Sequence, residues 1–169
     1  MNRIFKCNMY LVGILTLLFL SAGCSATKQV RQAERTLKGE WILNDIAYSE
    51  IGTFEVTLFN DATAACMQGS IWKFVPNNNT GNYTVDSAEC TSTGARNFRW
   101  TIPVADSAGN YSFLFKPVDE KFKSTNGDKG FRVDFLTLDD NSMTWQQTVS
   151  LEGKPFKITM KFNKYVPIN

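Results

Sequence analysis

Histidine is absent from all 169 residues of this chain. Its absence removes the commonest general base, the Ser-His pairs of many hydrolases and the usual ligands of zinc and copper. The acidic pairs Asp119-Glu120 and Asp139-Asp140 lie among turn residues, so we interpret them as a solvated loop and a hairpin turn. Only two carboxylates that converge in the fold would support an enzyme. The sequence therefore predicts a protein without catalytic activity, metal or other cofactor.

The chain also lacks a long basic run and an apolar run long enough to cross a bilayer. Its apolar run, Met9 to Leu20, is about 12 residues long, where a spanning helix needs about 20. Arg3 and Lys6 precede this run and small residues follow it, which is typical of a secretory signal. Loss of residues 1–23 leaves 16 basic and 16 acidic side chains. A neutral chain lacks the electrostatic footprint of nucleic-acid binding, so we expect no nucleic-acid partner.

The segment Leu20-Ser21-Ala22-Gly23-Cys24 follows the apolar run directly. It resembles the lipobox of bacterial lipoproteins, although Ser21 stands where that family usually carries leucine. The resemblance implies that residues 1–23 are a signal peptide, that Cys24 is acylated, and that the mature protein is anchored in the bacterial cell envelope. The alternative is an ordinary signal peptide followed by a chance cysteine. Membrane attachment is expected through the lipid. Ser25-Ala26 after Cys24 resembles the start of lipoproteins that are sorted to the outer membrane. The sequence does not indicate whether the protein lies on the periplasmic or the surface face of that membrane.

Only four cysteines occur, and the lipobox assigns two of them. Cys7 leaves with the signal peptide and Cys24 takes the lipid, so Cys66 and Cys90 remain as an even pair in an oxidising compartment. These two cysteines lie symmetrically about Asn78, in the turn-rich run Asn77 to Gly81. The symmetry predicts a disulfide across the open end of a hairpin, with two buried free thiols as the alternative.

Residues 24–36 are polar, and we interpret them as a tether with room for a helical turn or two. Residues 37–169 are expected to form one domain of strands. Alternation of apolar and polar residues is clearest in Phe156 to Phe162 and also marks Phe98 to Ile102 and Phe54 to Leu58. Further candidate strands are Trp41–Ala47, Ile71–Val75, Gly81–Val85, Tyr111–Lys116, Phe131–Leu138 and Met143–Leu151. Short turns between them predict an all-β, antiparallel meander that closes into an up-and-down barrel, with a flattened sandwich as the alternative.

The start of this domain, Leu37-Lys38-Gly39-Glu40-Trp41, resembles the Gly-x-Trp opening of the lipocalin family. The stretch from Cys66 to Cys90 is similar to lipocalin-like domains of bacterial lipoproteins. The resemblance implies a barrel of about eight strands, with Gly39 and Trp41 at its closed end. The family's Thr-Asp-Tyr motif and its arginine near the last strand are missing. Lys161 or Lys164 would have to replace the arginine over Trp41, or that contact is absent.

Aromatic residues are plentiful, and the question is whether they fill the barrel or line a cavity. An eight-stranded barrel is just wide enough for either. If Gln147 faces inward with its neighbours on the same face, its amide would offer a polar contact inside an apolar pocket. If a bulge shifts the strand register, Gln147 faces solvent instead. The apolar stripe that begins at Phe131 changes face near Phe135, which also indicates a bulge there. The candidate ligand-binding residues are Trp100, Phe113, Phe115, Phe135, Trp145 and Gln147.

Two functions follow from these alternatives. A hollow barrel would bind a small apolar or amphipathic ligand without chemistry of its own. A filled barrel would belong to a structural lipoprotein, or to one whose outer loops bind a protein or glycan partner. Interior volume and bound cargo distinguish them.

Overall fold

The computed structural model describes residues 28–87, 90–106, 109–125, 127 and 129–167, so the predicted signal peptide and Cys24 lie outside the described residues. Helix α1 covers residues 28–37, helix α2 is Ala64–Met67, and a 3₁₀ turn is Pro76–Asn78. The strands are β1 Gly39–Tyr48, β2 Thr57–Leu58, β3 Ala62–Thr63, β4 Ile71–Val75, β5 Thr80–Val85, β6 Gly94–Thr101, β7 Ser112–Val118, β8 Phe131–Leu138, β9 Ser142–Leu151 and β10 Lys154–Lys164.

Eight of these strands close into an antiparallel up-and-down barrel in the order β1-β10-β9-β8-β7-β6-β5-β4, with β4 returning to β1. This confirms the predicted fold class, an all-β, antiparallel up-and-down barrel of eight strands. Closure leaves the ladder without a free edge. The long β9–β10 hairpin pairs ten consecutive residues on each strand, and its strict alternation puts Phe156, Ile158, Met160 and Phe162 on the buried face.

The base of the barrel carries the Gly-x-Trp motif. Gly39 has φ of +109°, a value that favours glycine, where α1 turns into β1. Trp41 is fully buried, and its Nε1 donates a 2.8 Å hydrogen bond to the carbonyl oxygen of Leu37. The ammonium of Lys164 lies 4.2 Å from the centre of the Trp41 ring. Lys164 therefore occupies the place of the missing arginine, whereas Lys161 points outward and pairs with Asp45 at 2.9 Å.

The connection from β1 to β4, residues 49–70, covers the opposite end of the barrel. The expectation of a barrel strand at Phe54–Leu58 is wrong, because only Thr57–Leu58 is extended and it pairs with β3 in a separate two-stranded ladder. Leu58 and Met67 in this connection are fully buried against the barrel interior. The alternation of apolar and polar residues in Phe54–Leu58 therefore belongs to a segment that covers the barrel and not to a strand of its wall.

A disulfide joins Cys66 of α2 to Cys90 in the β5–β6 connection. The two cysteines flank β4 and β5, which pair from Ile71–Thr84 to Val75–Thr80. The predicted bridge across the open end of a hairpin is confirmed, and its role is now visible: it ties the covering segment to the barrel wall.

Residues 28–37 are helical, all but the last of them within the predicted tether, and Val30 and Ala33 pack against the core. The helix is short and amphipathic. In the part of the chain that the structure describes, no helix has the length and apolar character needed to cross a bilayer.

Candidate functional site

The interior of the barrel collects four of the six candidate ligand-binding residues. Trp100, Phe113, Phe115 and Trp145 are each at most 4% exposed. Alternation on β6, β7 and β9 turns them inward, where the rings of Phe113 and Trp145 stack with centroids 5.0 Å apart. The sequence therefore identified the inner face of these strands correctly.

Rings from opposite walls touch across the barrel axis. Trp72 on β4 and Trp145 on β9 have centroids 5.3 Å apart, and Phe74 on β4 and Phe113 on β7 have centroids 5.6 Å apart. Each pair joins strands three places apart in the ring of eight. At Gly81, an added Cβ would meet the Phe98 ring and, at 2.5 Å, the Lys73 carbonyl oxygen. The interior at this level is filled by side chains.

Phe135 and Gln147 lie nearer the edge of this aromatic core, and both are half-buried. The ladder slips between Phe135 and Thr137, which confirms the bulge expected near Phe135. The slip does not turn Gln147 outward, because Gln147 pairs with the buried Ile158 and shares the face of Trp145. Gln147 therefore belongs to the inward stripe, as the binding interpretation requires.

Trp145 differs from the other tryptophans in its indole N–H. Trp41 donates to Leu37, Trp72 to the Ser70 hydroxyl at 2.9 Å, and Trp100 to the Thr80 carbonyl at 2.7 Å. The buried Nε1 of Trp145 has no hydrogen-bond acceptor among the described residues. The Trp145 ring lies among the aromatic rings of Trp72, Phe74, Phe113, Phe135 and Phe162. A buried donor without an acceptor costs about 1–3 kcal/mol of stability, so a hydrogen-bond acceptor supplied from outside the chain would stabilise this position.

The β2–β3 turn closes the barrel above these rings. Phe59 and Asn60 both have φ of +55°, and Phe59 is only 4% exposed. Its ring lies 4.7 Å from Phe115 and 5.9 Å from Trp72, centroid to centroid. A bulky side chain at positive φ is uncommon and strained, by about 1–3 kcal/mol. We call Phe59 the plug, because its buried ring closes this end of the barrel while its backbone is in a strained conformation.

A polar cluster fastens this plug to the wall. The Asp61 carboxylate accepts a 2.8 Å hydrogen bond from the Tyr83 hydroxyl and one of 3.0 Å from Arg96 Nε. Arg96 also donates to the carbonyl oxygens of Gly94 and Ser92. Burial and the Asp61 carboxylate raise the pKa of Tyr83, while Arg96 acts in the opposite direction. A cavity of about 550 Å³ opens beside the cluster.

Sequence reasoning missed Phe59, Asp61 and Tyr83. The dipeptide Asn60-Asp61 is a turn signal that could have marked the β2–β3 turn. Nothing in the sequence connects Asp61 with Tyr83 and Arg96, because those residues lie on strands reached only after the chain crosses the barrel mouth.

In the part of the chain described here, no three side chains among cysteine, aspartate and glutamate gather as a metal site. Asp119 and Asp139 each hold their own turns: Asp139 accepts hydrogen bonds from the Asn141 and Ser142 amides and from the Ser142 hydroxyl. Those bonds lower the pKa of Asp139. The two acidic pairs are thus seen in turns, as the sequence indicated.

No protein-family profile and no curated protein sequence matches the chain. Among solved structures, it is similar to the odorant-binding protein from bovine nasal mucosa, at 13% identity and a TM-score of 0.41. The match covers 79% of this chain and 74% of that one. A likeness this distant carries no argument about function, and the fold assignment rests on the strand order of the barrel itself.

Proposed function

We propose that this protein is a non-catalytic, lipid-anchored lipoprotein of the bacterial cell envelope, held at the outer membrane through Cys24. Its barrel binds one small apolar or amphipathic molecule that carries a hydrogen-bond acceptor. The unpartnered Nε1 of Trp145, buried among aromatic rings, carries this proposal.

Binding requires the plug to move, because the rings fill the interior. Displacing Phe59 from its strained conformation would free the space above Phe115 and Trp72. The ligand then replaces the apolar contacts of the plug, at about 25 cal/mol per Å² of buried area. Its acceptor takes the Trp145 N–H, and the Gln147 amide lies one step along the same face.

Titration with Nile red, an apolar dye that carries a carbonyl acceptor, tests the proposal on three variants. Phe59→Ala is expected to strengthen binding by opening the mouth. Trp145→Phe is expected to weaken it about tenfold, the value of one hydrogen bond. Trp41→Phe is the matched control: it removes an indole N–H at the closed end, so it lowers stability and leaves dye binding unchanged. Equal binding by the Trp145→Phe and Trp41→Phe variants would remove Trp145 from the site.

A second candidate function is favoured by the ring contacts across the barrel axis. A permanently filled core would make the protein a structural lipoprotein, or one that binds a protein or glycan through its loops. Failure of the Phe59→Ala variant to bind the dye would favour this alternative.

A further inference from the structure

Helix α1 has two chemically distinct sides. Val30, Ala33 and the fully buried Leu37 face the barrel and pack against its core. Their spacing of three and four residues places them in one stripe of a 3.6-residue helix. The helix is therefore held firmly on the base of the barrel, and its opposite side faces solvent.

That opposite side is basic. On a helical repeat, Lys28, Arg31 and Arg35 fall in one narrow stripe, about half a turn from the apolar one. Lys38 continues it, since its amide still bonds to the Glu34 carbonyl oxygen at 3.2 Å. We call Lys28, Arg31, Arg35 and Lys38 the basic stripe.

The basic stripe is exposed along its whole length. None of its four side chains forms an ion pair with an acid in the part of the chain that the structure describes. Glu34 is the one acid within residues 28–38, and it is half-buried on the flank of the helix. Asp139 and Asp140 lie in the β8–β9 turn at the same end of the barrel. The stripe itself presents four positive charges to whatever lies outside it.

We propose that the basic stripe docks on the anionic phospholipids of the membrane that carries the lipid anchor. Lys28 lies four residues after Cys24, so an extended linker spans at most about 14 Å. That upper bound puts Lys28, the end of the stripe nearest the anchor, within about two Debye lengths of the bilayer surface, where one Debye length is about 8–10 Å. The position of the stripe beside the membrane rests on the acylation of Cys24 proposed above. The charge and exposure of the stripe are independent of that acylation. The plug, at the other end of the barrel, would then face away from the bilayer.

Membrane attachment is thus expected to use two signals, the lipid and the stripe, where the sequence alone suggested the lipid. Each basic residue near an anionic surface strengthens binding about fivefold. The stripe would orient the barrel as well as hold it.

The experiment uses the full chain, processed in a Gram-negative host, extracted in mild detergent and reconstituted into vesicles. One vesicle type is phosphatidylcholine, and the other contains equal parts of phosphatidylcholine and phosphatidylglycerol. An amine-reactive acetylating reagent then labels lysines, and peptide mass spectrometry reports Lys28 and Lys38 relative to the exposed Lys154 at the far end of the barrel. On anionic vesicles this ratio is expected to fall about fivefold and to recover at high salt.

Two double variants supply the comparison. Arg31→Gln with Arg35→Gln keeps helix-forming residues and should abolish the protection. Lys121→Gln with Lys123→Gln removes the same charge from the far end and should retain it. Equal labelling ratios on both vesicle types would overturn the proposal.

Flotation of the same vesicles separates the stripe from the anchor. Protein that floats with both vesicle types is anchored, and its labelling ratio decides the stripe. Protein that floats only with anionic vesicles at low salt supports the stripe and contradicts the anchor. Protein that floats with neither overturns both.

Discussion

At the residue scale, Lys164 shows how one side chain can replace a missing motif. Its ammonium donates to the carbonyl oxygens of Thr36 and Lys38, at 3.1 and 2.5 Å, and lies over the Trp41 ring. Burial lowers the pKa of Lys164, while Asp140 opposes the shift. The two-residue period of β10 distinguishes it from Lys161, since even-numbered positions face inward there. This assignment was within reach of the sequence.

Replacing Lys164 by alanine should therefore destabilise the fold by about 1–2 kcal/mol, because it removes a cation–π contact and a cation at the end of α1. Lys161→Ala is the matched control on the same strand. Its exposed ion pair with Asp45 should contribute no more than about 0.5 kcal/mol. Urea unfolding of both variants measures the difference, and equal losses would show that Lys164 has no special role.

Tyr83 gives the protein a pH dependence at alkaline pH. Burial and the hydrogen bond to Asp61 raise its pKa, so the folded protein keeps this proton where the unfolded chain releases it. Below a pH of about 10, Tyr83 is protonated in both states and its titration adds no pH dependence to the stability. Above that pH, the free energy of unfolding should fall by about 1.4 kcal/mol per pH unit from this group. Tyr83→Phe should flatten that fall in urea unfolding measured at several pH values. An unchanged slope in the variant would contradict the assignment.

At the scale of elements, alternation and turn signals together located the eight barrel strands but could not tell wall from cover. Phe54–Leu58 alternates like a strand because Leu58 packs into the mouth while Thr57 stays exposed. Residues 28–36, where the sequence left room for a helical turn or two, belong to helix α1, and its few apolar side chains pack on the barrel. In both places the pattern reports which side is buried and not against what.

The Cys66–Cys90 disulfide should stabilise the covering segment and the whole fold. Replacing both cysteines by serine should lower stability by about 3.5 kcal/mol on the chain-entropy account of a loop of this length. It should also release α2 from the wall, and so increase Nile red binding as Phe59→Ala does. Urea unfolding and dye titration of the double variant test both effects. A stability loss without any gain in dye binding would show that the bridge does not restrain the plug.

At the scale of the whole molecule, the sequence predicted a closed barrel with an aromatic interior and left open whether it is full. The structure shows rings in contact across the axis, a strained plug and one orphaned donor. Sequence patterns could not reveal that donor, because strand register gives the face of Trp145 but not the acceptors around its Nε1. A filled interior and a binding site are compatible only if the plug can leave.

Native mass spectrometry of the protein extracted from envelope membranes in non-ionic detergent shows whether the barrel holds a ligand. We expect a discrete additional mass, soluble in organic solvent, on the wild-type and Trp41→Phe proteins and a reduced amount of it on Trp145→Phe. A clean mass without adduct, persisting after the Phe59→Ala variant has been incubated with an envelope lipid extract, would contradict this expectation and establish the barrel as a solid core.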